Sequence, residues 1–137
     1  MSALLQSILV VEDNPDWQST IKGILQDAGY LVKIANSISA AQNQLSLSEF
    51  DLALLDIRLD ESDEENDAGI ILAEKISIDW PTVKVIFVTG YANEDFIRKA
   101  MEPDIYSKRR LAVNFIQKQK IEGLIPMIQK ALERKVE

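Results

Sequence analysis

The chain has 137 residues, 47% hydrophobic and 27% charged, enough for one domain with a real core, and it contains neither cysteine nor histidine. That excludes disulfide scaffolds, thiolate or imidazole metal sites and Cys–His or Ser–His catalysis, leaving chemistry to carboxylates, hydroxyls and lysines. The net charge of −7, split as −12 over residues 1–107 and +5 over residues 108–137, argues against direct nucleic-acid binding by the surface as a whole.

The first apolar run, 8–11, reads as a strand. Asn14 as cap and Pro15 at the first helical position then open a helix along Trp17, Ile21, Leu25 and Ala28, stopped by Gly29. A second strand is expected over 31–35, followed by a helix started by Ser37 and carried by Ile38, Ala40, Ala41 and Leu45. A third strand covers 52–55. After it, Asp60, Glu61, Asp63, Glu64, Glu65 and Asp67 crowd into eight residues and read as a solvated, self-repelling loop. An EF-hand starting at Asp60 is excluded, because loop positions six and twelve hold Glu65 and Ile71 instead of Gly and Glu.

Ile70, Leu72, Ala73 and Ile76 carry a third helix, ended before Trp80-Pro81. The fourth strand is expected over 83–88. A fourth helical stretch holds Phe96, Ile97 and Met101 and is broken by Pro103. The fifth strand is expected over 111–116. A fifth helix runs along Ile121, Leu124, Ile125, Ile128, Ala131 and Leu132, with Arg134 and Lys135 at its C-terminal end. The strands are continuous in apolar residues, as strands covered on both faces are, with Lys33 and Lys84 marking strand ends or less covered positions. The expected architecture is (βα)5: a doubly wound, five-stranded parallel sheet in three layers. No run approaches the length needed to span a bilayer and no signal segment opens the chain, so a cytoplasmic domain without membrane contact is expected.

Function in such a sheet sits at the carboxyl ends of the strands. Glu12 and Asp13 follow the first strand, Asp56 the third, Thr89 and Gly90 the fourth, and Lys118 the fifth. Clustered carboxylates call for a hard cation such as Mg2+, while a hydroxyl and an ammonium suit phosphoryl oxygens. Asp56 could then act as a nucleophile and become an aspartyl phosphate.

The stretches Ile8-Leu9-Val10-Val11-Glu12-Asp13-Asn14, Leu54-Leu55-Asp56-Ile57-Arg58-Leu59, Val88-Thr89-Gly90-Tyr91-Ala92 and Phe115-Ile116-Gln117-Lys118 together resemble the receiver domain of two-component response regulators, a flavodoxin-like fold. The resemblance implies that Glu12, Asp13, Asp56 and the backbone carbonyl of Arg58 hold Mg2+. It implies Asp56 as phosphoacceptor, Thr89 and Lys118 as phosphoryl contacts, and Thr89 with Phe115 as the switch pair. The partners it implies are a histidine kinase or phosphotransfer protein, and a downstream protein or second copy bound through the fourth helix, fifth strand and fifth helix. Lys108, Arg109 and Arg110 would draw an acidic partner there. Residues 1–137 would form a single receiver domain, with an output domain truncated or absent after 137. Such a domain is a self-phosphorylating and autodephosphorylating switch rather than a turnover enzyme; the alternative is a receiver-like interaction module that is never phosphorylated. An Asp-nucleophile phosphatase is disfavoured, since Arg58 stands where the second Asp would be, and no Gly-rich nucleotide fingerprint exists. The chain departs from the family pattern at Gln119, where Pro is usual, in the spacing of Asp56 to Gly69, and in the long segments 57–69 and 93–117.

Overall fold

The computed structural model describes residues 5–57, 68–90, 98, 101–103 and 110–133. Five parallel strands, β1 (Ser7–Val11), β2 (Leu31–Ala35), β3 (Leu52–Leu55), β4 (Lys84–Thr89) and β5 (Asn114–Gln117), form one sheet in the order β2-β1-β3-β4-β5. The expected (βα)5 architecture is thus the observed one. The strand order reverses between β1 and β3, which opens a crevice at their carboxyl ends.

Side chains alternate between two core layers. Leu9, Val11, Ala53, Leu55, Val85 and Phe87 pack against α2 (Ile38–Leu47) and α3 (Ala68–Asp79) through Ala41, Leu45, Ile70 and Ile76. Ile8, Val10, Leu52, Leu54, Ile86, Val88 and Ile116 pack the other way, against Ile21 and Leu25 of α1 (Pro15–Asp27) and Leu124 and Ile128 of the C-terminal helix (Leu124–Ala131). Both faces are covered, so β1, β3 and β4 read as unbroken apolar runs. β2 differs: as an edge strand it leaves Leu31 exposed, where cover on both faces was expected, while Lys33 is exposed as its break in the apolar run suggested.

Helix starts follow local chemistry. Asn14 caps α1 by accepting from the backbone N–H groups of Asp16 and Trp17, with Pro15 at the first helical position. Its end is a Schellman turn: Gly29, at φ 94°, donates to Gln26 and Tyr30 donates back to Leu25. Ser37 caps α2 through Ala40 N–H at 3.1 Å. Lys84, exposed at the start of β4, donates its ammonium to the Ala131 carbonyl and so caps the C-terminal helix.

Two boundaries move. β4 ends at Thr89 and β5 spans Asn114–Gln117 rather than 111–116, because pairing with β4 brings Asn114 opposite Ile86 and Gln117 opposite Thr89. The expected fifth helix is divided: a 3-10 turn, Lys118–Gly123, precedes the α-helix, with Lys120 outside helical dihedrals. Gly123 is the cap of the α-helix, so Pro126 falls in its first turn, where its missing N–H costs no helical bond. Of the fourth helical stretch, Arg98 and Met101 are helical and Glu102 N–H donates to the Arg98 carbonyl; Phe96 and Ile97 lie outside the described residues, as do Arg134 and Lys135.

Candidate functional site

Alternation along the strands selects which side chains meet. Val10 and Leu54 belong to the core layer under α1, and so does Ile116 of β5. Two residues onward on each strand, the next positions on that face are Glu12, Asp56 and Lys118. The same face that packs the core therefore continues as three ionisable groups, with relative exposures of only 1%, 3% and 4%. Backbone bonds fix two of them: Glu12 N–H donates to Ala35 and Asp56 N–H to Val11, each at 3.0 Å.

The Lys118 ammonium bridges the carboxylates, 2.9 Å from Glu12 Oε2 and 3.0 Å from Asp56 Oδ2. Asn14 N–H donates to Glu12 Oε1 at 3.1 Å, and Gln18 Nε2 donates to the Glu12 carbonyl at 2.6 Å. Asp13 is half-buried, and oxygens of Glu12, Asp13 and Asp56 all lie within 4.8 Å of one another. Burial, and then the Asp56 charge beside it, push the Glu12 carboxyl above its ordinary 4.5, against the pull of Lys118 and Asn14. For Lys118, burial alone would lower the ammonium; the Asp56 and Glu12 carboxylates outweigh it and hold it above 10.5. Among the described residues one ammonium stands beside three carboxylates, and an all-oxygen donor set of this kind fits a hard divalent cation.

Thr89 is buried at the end of β4, paired in register with Gln117, one residue before Lys118. A Cβ on Gly90 would stand 3.4 Å from Lys118 Cδ, so a small residue there leaves the lysine stem room. Phe115 pairs with Phe87 and packs, partly buried, against the core layer of α2 and α3. No cis peptide occurs among the described residues, and Gln119 lies in the 3-10 turn. Arg58, the acidic loop 60–67, Tyr91, Ala92, Lys108 and Arg109 lie outside the described residues; Arg110 is exposed.

Two contributors were not among the expected site residues, Gly69 having been marked only by its spacing from Asp56. Gly69, in the first turn of α3, donates to the Ile57 carbonyl at 2.9 Å, and a Cβ there would come 1.9 Å from the Asp56 carbonyl oxygen. Trp17, which the sequence marks only as an apolar helix position, has its ring centroid 5.3 Å from Lys118 Nζ. Its spacing from Glu12 was the available clue, for it falls in the helix turn that follows the acidic pair.

The model of the response regulator receiver domain matches residues 8–128. The chain belongs to this family. Among curated proteins, the nitrogen assimilation regulatory protein NtrX of Azorhizobium caulinodans is 29% identical over 131 residues, covering 95% of this chain and 27% of that protein. The response regulator receiver protein CpdR of Brucella abortus is 33% identical across 64% of this chain and 69% of its own length. The receiver domain thus spans about a quarter of the length of NtrX. A CheY-like receiver domain protein from Methanospirillum hungatei superposes with a TM-score of 0.77 at 30% identity, covering 94% of both chains. The response regulator TrrA of Thermotoga maritima, solved in complex with Mg2+ and BeF, gives 0.72 at 25% identity, covering 93% of this chain and all of that one. Among the described residues, no helix of this receiver domain is long and apolar enough to cross a membrane.

Proposed function

We propose that this receiver domain accepts a phosphoryl group on Asp56 from a histidine kinase or phosphotransfer protein and answers by changing a partner-binding face. The observation that carries this reading is the buried Asp56 carboxylate at the end of β3, 3.0 Å from the Lys118 ammonium and within 4.8 Å of both Glu12 and Asp13. In the transfer, an Asp56 oxygen forms a bond to phosphorus while the phosphorus–nitrogen bond of the donor phosphohistidine breaks, its electron pair returning to the imidazole. Lys118 offsets charge on the phosphoryl oxygens and the Thr89 hydroxyl donates to one of them. Glu12, Asp13 and Asp56, with the Arg58 carbonyl, would hold a divalent cation, which when bound supplies further positive charge against those oxygens. The complex of TrrA with Mg2+ and BeF supports this assignment.

Thr89 and Phe115 are proposed as the switch pair, altering the surface of the expected fourth helix, β5 and the C-terminal helix. A few kcal/mol of differential stabilisation suffices for such a shift, a scale within reach of new charge-assisted bonds at Thr89 and Lys118. The excess of positive charge in residues 108–137 suits an acidic protein or a second copy of the domain. The protein would then act as a switch charged once per cycle, not as a turnover enzyme.

The test is intact-protein mass after treatment with acetyl phosphate and Mg2+. The parent should gain one phosphoryl mass and Asp56→Asn none. Equal gain by both would move the site elsewhere; no gain by the parent would favour the interaction-module alternative, in keeping with Gln119 in place of the usual Pro.

A further inference from the structure

We propose that Trp17 is a positioning residue that holds the Lys118 ammonium where a phosphoryl group on Asp56 will need it; this rests on Asp56 being the phosphoacceptor. Lys118 is 4% exposed, and the Trp17 ring stands 5.3 Å from its Nζ. A ring face carries partial negative charge in its quadrupole, and its attraction for a cation grows when both are shielded from water. The two carboxylates already grip the ammonium through hydrogen-bonding distances, so the ring adds a contact of a different kind. It attracts the charge without accepting a proton and without needing to be desolvated as an anion would.

The ring is also well anchored. The Trp17 backbone N–H donates to Asn14 Oδ1 at 3.1 Å, which fixes the first turn of α1, and the side chain packs on the core layer of Ile21 and Leu25. Gln18, next in the helix, donates to the Glu12 carbonyl at 2.6 Å. Residues 12–18 therefore form one unit that presents Glu12 and the ring to a lysine arriving from β5. When Asp56 becomes an acyl phosphate, Lys118 has to exchange a carboxylate contact for a phosphoryl oxygen. The carboxylate grip changes in that exchange, whereas the ring contact persists through it. Trp17 thereby guides the ammonium across the step.

The experiment compares the parent with Trp17→Phe, which keeps an aromatic face, and Trp17→Leu, which keeps only apolar bulk. Each full chain is treated with acetyl phosphate and Mg2+, and the rate of phosphoryl mass gain is followed. An Asp56 oxygen bonds to phosphorus as the phosphorus–oxygen bond to acetate breaks, its electron pair leaving on acetate. We expect Trp17→Phe to stay within about twofold of the parent and Trp17→Leu to slow by about tenfold. In parallel, reductive methylation of lysines, mapped by peptide mass, should find Lys118 protected in the parent and in Trp17→Phe and several-fold more reactive in Trp17→Leu. Should the Leu variant not fold, Trp17→Met replaces it under the same criterion. Equal rates and equal labelling in the Phe and Leu variants overturn the proposal, since packing alone would then account for the ring. A parent that takes up no phosphoryl group overturns the phosphoacceptor reading instead, and the labelling then decides whether Trp17 positions Lys118.

Discussion

Lys118 carries one positive charge between two carboxylates as buried as itself, and its protonation is therefore tied to the fold. Its folded pKa lies above 10.5 because Asp56 and Glu12 more than offset the cost of burial. The stability it contributes is full below 10.5 and is lost as pH rises through the higher folded value. Removing one partner of a buried ion pair costs about 3 kcal/mol or more, since the remaining charges stay buried without it. In chelator-containing buffer, Lys118→Met should therefore be less stable than the parent by about that amount at neutral pH, measured by urea unfolding. The gap should shrink as pH rises beyond 10.5; a gap constant with pH would show that Lys118 contributes through packing only. Glu12 is shifted the same way from a lower starting point. Its folded pKa is raised above 4.5, so its contribution is full below 4.5 and lost as pH climbs through the folded value. The ionised form is the one the fold disfavours, and a bound cation would offset that cost.

At the level of elements, Gly69 decides how α3 joins the sheet. The first turn of α3 comes so close to the end of β3 that a Cβ on Gly69 would overlap the Asp56 carbonyl oxygen at 1.9 Å. Backbone on both sides leaves no flexible side chain to yield. Gly69→Ala should destabilise the domain by about 2 kcal/mol or more, the scale of overpacking a close-packed interior, by pushing α3 off β3. Gly90→Ala is the control: its Cβ would meet Lys118 Cδ at 3.4 Å, an ordinary contact with the middle of a flexible stem, and should cost little. Similar midpoints for the two variants in urea would remove the close approach as the reason for glycine. The spacing of Asp56 to Gly69 departs from the family pattern, yet the structure closes that segment with the Gly69–Ile57 hydrogen bond at 2.9 Å.

For the whole molecule, the dominant electrostatic fact is that acidic charge gathers at one sheet edge. Anything that binds the native acid cluster and not the unfolded chain stabilises by mass action, by about 2.7 kcal/mol at a hundred times its dissociation constant. Mg2+ should accordingly raise the melting temperature by several degrees, and Asp13→Asn should largely abolish the rise. A full rise in Asp13→Asn would assign the binding to the acidic stretch 60–67 instead. The choice of Asp13 matters, because it is the half-buried member of the cluster and can be altered with the least damage to the core.

Local chemistry along the chain specified the order of strands and helices and the double cover of the central strands. Continuous apolar runs, broken by Asn14-Pro15, Gly29 and Ser37, leave few alternatives to a parallel sheet covered on both faces, because capping and apolar patterning are local properties. It also put Glu12, Asp56, Thr89 and Lys118 at the carboxyl edge, since each directly ends or follows an apolar strand. Tertiary structure decided the rest. Strand pairing moved β5 to Asn114–Gln117, and the edge position of β2 exposed Leu31, neither of which a single strand encodes. Only the packed sheet turns Glu12, Asp56 and Lys118 to one face, with the ammonium 2.9 Å and 3.0 Å from the two carboxylates. Gly69 against Asp56 and Trp17 against Lys118 are likewise contacts between residues distant in the chain, and distance in sequence gives no hint of distance in space.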